Sequence, residues 1–144
     1  MIRHAGLIAI RQAGAWLGVL IEGPSGAGKS DLALRALDHG FRLVADDRVE
    51  LWVSDGRLFG APPAPLAGLI EARGLDILTI GALPLAEVRL AVRCGDPERL
   101  PDPQATDILG VALPTLTIQP REASAAVKLS RAVARFDGDP KRRM

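Results

Sequence analysis

Apolar residues fall into short runs separated by glycine, proline and polar clusters, and the spacing inside each run predicts its element. Leu7 to Ile10 and Trp16 to Ile21 are two such runs, parted by Arg11 to Ala15; they read as a β-hairpin whose second strand leads into a glycine-rich loop. Beyond the loop, Ser30 to His39 carries Leu32, Leu34, Ala36 and Leu37 at helical spacing with no breaker, and Gly40 stands where a helix stops. Phe41 to Ala45 has the pattern of a buried strand and ends on two carboxylates. Val49 to Val53 alternates toward the turn Ser54-Asp55-Gly56, with Arg57 to Gly60 as the returning strand. Ala61 to Pro65 reads as a loop, Leu66 to Ile70 as a short helical or irregular piece, and Leu75 to Ile80 as a strand. Val88 to Arg93 alternates as a strand, Pro97 to Asp107 is a polar loop with three prolines, and Thr115 to Ile118 is a short strand. Ser124 to Phe136 repeats apolar residues at helical spacing, with basic residues on its other face. The expected fold is α/β, a mixed and partly closed sheet around the glycine loop with a few flanking helices.

Composition narrows this picture. A chain of 144 residues fits one domain and buries roughly two-thirds of its unfolded surface. With 48% hydrophobic but only 3% aromatic residues, and no Tyr, its core is built from Leu, Ile, Val and Ala. The formal net charge is +1, so no global field favours nucleic acid or an anionic membrane, and neither is expected as a partner. The one cysteine, Cys94, allows no internal disulfide and reads as a small buried hydrophobe. No apolar run approaches the roughly 18 residues of a membrane span, and Met1-Ile2-Arg3-His4 lacks the apolar core of a secretory signal, so the expected location is the cytoplasm. No internal repeat or linker is visible, which leaves a single domain over residues 1–136 and a basic tail, 137–144, expected to be disordered.

The chemistry begins at Gly23-Pro24-Ser25-Gly26-Ala27-Gly28-Lys29-Ser30, which matches G-x-x-x-x-G-K-[ST] between a predicted strand and a predicted helix. Glycines let backbone N–H groups wrap around phosphates, and the helix N-terminus adds partial positive charge. Lys29 supplies a point charge to the β- and γ-phosphates, and the Ser30 hydroxyl is a Mg²⁺ ligand. ATP and Mg²⁺ are therefore the expected cofactors. The loop alone does not choose among NTPase, small-molecule kinase and protein kinase. More telling are Asp46 and Asp47, reached through a single helix. Successive side chains of an extended backbone point oppositely, so one acid can orient magnesium through water while the other faces an acceptor hydroxyl as a base. The spacing leaves open which does which.

The run GPSGAGKSDLALRALDHGFRLVADDRVEL, Gly23 to Leu51, closely resembles the catalytic core of the HPr kinase/phosphorylase family. LIEARGLDIL, Leu69 to Leu78, is similar to that family's second signature, L-E-[IV]-R-G-L-G-I. The resemblance implies a bacterial enzyme that transfers phosphate from ATP, or in some members pyrophosphate, to a serine of the phosphocarrier protein HPr. Many members reverse the transfer with inorganic phosphate. It further implies that Glu71 is a second magnesium ligand, that Asp47 is the acid–base residue with Asp46 beside it, and that Arg73 serves both directions. HAGLIAI resembles the strand that carries the family's catalytic histidine, which gives His4 a role near the phosphates. Its separation from Gly23 is a few residues longer than in the family, so the turn at Arg11 to Ala15 is expected to be extended.

Longer members carry a further N-terminal domain, and the chain matches the catalytic domain alone, as in the short form of alphaproteobacteria. Arg99 in PERLP is the nearest match to a family arginine that follows the central strands. A later segment tied to dephosphorylation, close to P-x-R-P-G-R-N, is represented only by QPREASAA, where Pro120 and Arg121 fit and the remainder does not. Kinase activity is thus the firmer expectation, ahead of phosphorolytic reversal. The C-terminal helix either packs on its own sheet or serves subunit contacts and HPr, and the family suggests a homo-oligomer, a hexamer. Two other readings stand beside this one: a P-loop small-molecule kinase, and an ATP-sensing regulator without transfer activity.

Overall fold

The computed structural model describes residues 1–136. The strands are β1 (Ile2–Arg3), β2 (Ala5–Gln12), β3 (Ala15–Glu22), β4 (Arg42–Ala45), β5 (Val49–Ser54), β6 (Arg57–Ala61), β7 (Leu69–Ala72), β8 (Asp76–Thr79), β9 (Ala86–Cys94), β10 (Gln104–Ile108) and β11 (Val111–Ile118). The helices are α1 (Lys29–Ala36), prolonged by a 3-10 turn at Leu37–His39, and α2 (Ala125–Phe136). Among the described residues, no helix is long and apolar enough to cross a membrane. The expected basic tail lies outside them.

One mixed sheet of nine strands runs β1-β5-β6-β9-β3-β2-β4, and β11 with β10 joins it through β9. β3 is central, antiparallel to β2 and parallel to β9, which in turn is parallel to β11. Strands buried on both faces read as continuous apolar runs, which is why Leu7 to Ile10 and Trp16 to Ile21 were recognisable without strict alternation. On one face Ile8, Val19, Ile21 and Leu90 pack against Leu32, Ala33 and Ala36 of α1 and Ala126, Leu129 and Val133 of α2. On the other face the sheet curls over itself, so that Leu7, Leu20 and Ala91 meet Leu51, Leu58, Ile108 and Leu113. The first of the two expectations for α2, packing on its own sheet, therefore accounts for its buried residues.

Between Gly18 and Val19 the pairing with β9 slips from Val88 to Leu90, leaving Arg89 as an extra residue. Its effect shows in the burial: Val88 joins one core cluster and Leu90 the other, although two residues apart in a strand ordinarily places side chains on one face. Gly18 is required there, because a Cβ on it would lie 2.3 Å from the Glu87 carbonyl oxygen.

Three differences from the sequence reading have local causes. The β2–β3 turn is not extended: it is the two residues Ala13-Gly14 at φ +49° and +78°, and the longer span is taken up by the strands, which run on to pair Gln12 with Ala15. Leu69 and Ile70 are not helical or irregular; they open β7, which pairs with β8 as a separate two-stranded hairpin. The stretch expected to be loop to Asp107 contains β10, a mostly exposed edge strand whose return to β11 uses Leu109-Gly110, also at positive φ. Asp107 Oδ1 accepts from Gly110 N at 3.0 Å and closes that turn without the Asn-Gly or Asp-Gly signal.

Candidate active site

The parallel arrangement of β3, β9 and β11, with β4 antiparallel to β2, brings the C-terminal ends of four strands and the start of β2 to one edge of the sheet. In open α/β sheets this is the edge where ligands bind. The glycine loop leaves β3 at Glu22 and enters α1 at Lys29. Gly28, at the N-cap, has φ +103°, and a Cβ there would lie 3.0 Å from Cβ of Pro120. Lys29 Nζ donates to Gly23 O at 2.7 Å and Pro24 O at 3.1 Å, which holds the ammonium across the loop. Cys94 lies directly behind, its Cβ 2.9 Å from where a Cβ on Gly23 would stand. Burial pushes the Cys94 thiol up, and the nearby Lys29 charge opposes this less strongly.

Asp46 ties the loop to the rest of the site. It is buried, 8% exposed, and both its oxygens are engaged: Oδ1 accepts from the Ser30 hydroxyl at 2.7 Å and Oδ2 from Glu71 N at 3.1 Å. Asp47 is exposed. Arg48 N donates to Asp46 O at 2.7 Å across Asp47, whose φ is +68°. This is a γ-turn, a backbone state that costs a non-glycine residue about 1–3 kcal/mol and is retained chiefly at functional sites. The alternation of an extended chain alone would turn the two acids apart; here Asp46 is buried and Asp47 exposed on either side of the γ-turn.

Glu71 and Arg73 belong to the β7–β8 hairpin. Ile70 and Ala72 face inward, so Glu71 and Arg73 face solvent; Leu75 N closes the turn on Ala72 O at 2.9 Å. Among the described residues no three His, Cys, Asp or Glu side chains converge on one point. Magnesium in a nucleotide site takes one or two carboxylates and completes its shell with phosphate oxygens and water, so Ser30, Asp46 and Glu71 are a fitting donor set.

His4 precedes Ala5, which pairs with Glu22, so the histidine lies at the sheet edge beside the start of the glycine loop. It is exposed, while Arg3 next to it bridges to Glu22 with 3.1 Å between Nη1 and Oε2. Arg99 is exposed in the loop after β9, at the same edge, and no contact draws it toward Lys29 or Asp46. The loop after β11 comes closer: Ala27, Cys94, Gly95, Gln119, Pro120 and Arg121 line a cavity of about 180 Å³. Sequence reasoning passed over Arg35, which bonds Asp31 and reaches the carbonyls of Pro120 and Glu122. The i,i+4 spacing of Asp31 and Arg35 was visible, whereas contacts across more than eighty residues were not.

Comparison with known proteins finds one family. The family model of the HPr Serine kinase C-terminal domain matches residues 2–84, which hold the glycine loop, both acids and the β7–β8 hairpin. The HPr kinase/phosphorylase of Clostridium botulinum (strain Eklund 17B / Type B) is 34% identical over 132 residues, covering 82% of this chain and 43% of its own length. That of Clostridium kluyveri (strain NBRC 12016) is 49% identical over 67 residues, 46% of this chain and 22% of its own. The chain thus spans less than half the length of these relatives. The solved structure of the Hpr(Ser) kinase/phosphatase from Coxiella burnetii superposes with a TM-score of 0.79 at 26% identity, covering 93% of this chain and 94% of that one.

Proposed function

This chain belongs to the HPr serine kinase C-terminal domain family, and from that premise we propose that it transfers the terminal phosphoryl group of ATP to a serine hydroxyl of HPr. The observation that carries the reading is the division of labour between the two acids. Asp46 is locked inward between the Ser30 hydroxyl and the Glu71 amide, and Asp47 is turned outward at the same strand end.

Phosphoryl transfer needs mainly positioning and charge neutralisation, with little covalent work for the protein. The N–H groups of the loop from Gly23 to Gly28 and the Lys29 ammonium hold the β- and γ-phosphates; Lys29 exchanges its two carbonyl partners for phosphate oxygens. Ser30 and Asp46 would hold Mg²⁺, and Glu71 would supply the second carboxylate. The metal, when bound, neutralises charge that builds on the phosphate oxygens. Asp47 takes the serine proton as the serine oxygen bonds to phosphorus and the bond from phosphorus to the β–γ bridging oxygen breaks. Arg73, on the rim, neutralises the transferring group, and His4 stands beside the loop on the other flank. Arg99 belongs to the outer rim. A sensor of ATP needs no base at the acceptor, which sets Asp47 against that reading.

The test is to incubate the protein with labelled ATP, Mg²⁺ and purified HPr. Serine-linked label on HPr is the expected result. Absence of label on HPr together with rapid turnover of a small hydroxylated metabolite would overturn the reading. Adding inorganic phosphate to serine-phosphorylated HPr measures the reverse direction; with only Pro120 and Arg121 matching the segment tied to it, release is expected to be slow beside the forward reaction.

A further inference from the structure

The loop between β11 and α2 is held against the glycine-loop helix by one side chain. Arg35, in the last turn of α1, uses its guanidinium in three directions: Nε donates to Asp31 Oδ2 at 2.9 Å, Nη1 to Glu122 O at 3.1 Å, and Nη2 to Pro120 O. Asp31 lies one turn earlier on α1 and fixes the plane of the fork. The two carbonyls flank Arg121. Pro120 in turn touches the glycine loop, since its ring stands where a Cβ on Gly28 would be crowded at 3.0 Å. Together with Ala27 and Cys94, this segment closes the cavity beside the loop, and Arg121 lies on its wall. Other ties act on the same segment: Gln119 Nε2 donates to Asp96 at 2.8 Å, Gln119 Oε1 accepts from Arg121 N at 3.2 Å, and Lys128 of α2 donates to Glu122.

We propose that Arg35 is a positioning residue for the nucleotide, acting through the 119–122 segment: it fixes Pro120 over Gly28 and thereby holds Arg121 on the wall of the cavity beside the loop. The inference rests on the phosphotransferase reading above. Three physical arguments support it. A rigid planar fork with five donors can satisfy one carboxylate and two carbonyls at once, which the single ammonium of lysine does not reproduce. Charge-assisted bonds to backbone carbonyls are stronger than neutral ones, so they suit a connector that is exposed from Arg121 to Ser124. The loop also approaches Gly28, the N-cap of α1 within the run of loop N–H groups that forms the anion site, so any displacement of Pro120 alters the wall of that site.

The experiment compares wild type with Arg35→Lys and Asp31→Ala, reading nucleotide affinity from titration with a fluorescent ATP analogue, and backbone order from hydrogen exchange of the 119–124 amides. Arg35→Lys is expected to raise exchange in that segment alone and to weaken nucleotide binding about tenfold, in keeping with the loss of one positioned contact. Steady-state kinetics should show the change in KM for ATP, with kcat and KM for HPr within about twofold. Asp31→Ala should move both readouts in the same direction by less. Arg121→Ala should reproduce the affinity loss without the change in exchange. Raised exchange with unchanged affinity overturns the proposal, as does unchanged exchange. A broad rise in exchange across the sheet would assign Arg35 to general stability and overturns it too. Wild-type protein that fails to bind the analogue overturns the phosphotransferase reading itself, whereas wild-type binding with an indifferent variant overturns only the role of Arg35.

Discussion

The floor and the rim of the site are built on opposite terms. On the floor, Lys29, Ser30 and Asp46 are each held by named hydrogen bonds, Asp46 is buried, and the Glu71 amide joins the chain of contacts. On the rim, His4, Asp47, Arg73 and Arg99 are all exposed. The apolar residues beside Arg73 are exposed as well, Leu75 at 76% and Ile77 at 63%. A preorganised floor suits a ligand whose phosphates are always the same shape, because donors already in place need no rearrangement when charge shifts. An open rim suits an acceptor that arrives on the surface of another protein. The border between the two runs through a single peptide unit, Asp46-Asp47.

The sharpest test exchanges the two acids one at a time. Asp47→Asn should lower kcat for serine phosphorylation by about 10³-fold, the middle of the range for loss of a general base, while nucleotide affinity stays within about twofold. A fall in affinity above about 100-fold would move Asp47 from rim to floor and break the comparison. Asp46→Ala should affect binding and folding together: it strands the Ser30 hydroxyl and the Glu71 N–H, at a cost of about 1–3 kcal/mol read from urea unfolding. Weaker Mg²⁺-dependent nucleotide binding should accompany it. Arg73→Ala should reduce kcat/KM about 10²-fold with an unchanged melting temperature, since the side chain is exposed and the role proposed for it lies in the transition state. The smallest effect concerns Cys94. Its thiol is buried and its pKa raised, so less thiolate is present at any given pH than for a free cysteine. Alkylation should therefore be slow at neutral pH, quicken as pH rises, and become rapid only on unfolding.

Legibility in the sequence follows the same division. The floor was readable because its constraints are local: a glycine loop, a helix start and two acids in one run leave few alternatives for where Lys29, Ser30 and Asp46 lie. The family resemblance brought Glu71 into view and gave Asp47 its role; the bond the structure shows at Glu71 is made by its backbone N–H, to Asp46, a contact that no residue type announces. The C-terminal half was harder. β10 has an exposed edge pattern, follows two prolines, and turns on Leu109-Gly110, so neither periodicity nor turn chemistry announced it. The ties that place Pro120 beside Gly28 are made to backbone carbonyls, and a carbonyl has no residue type to recognise.

The extra residue in β9 leaves no mark on the hydrophobic pattern and has a mechanical consequence. A period-two scan sees Val88 and Leu90 as one phase, yet Arg89 resets the count between them and the two side chains enter different core clusters. Mechanically the same residue is a joint. Upstream of it β9 keeps step with the β5–β6 ribbon; downstream it keeps step with β3 and β11 behind the glycine loop. Substitutions that shift packing in the ribbon are thereby decoupled from Val92 and Cys94. The outer curl of the sheet can change its contents while the wall behind the phosphates stays in register.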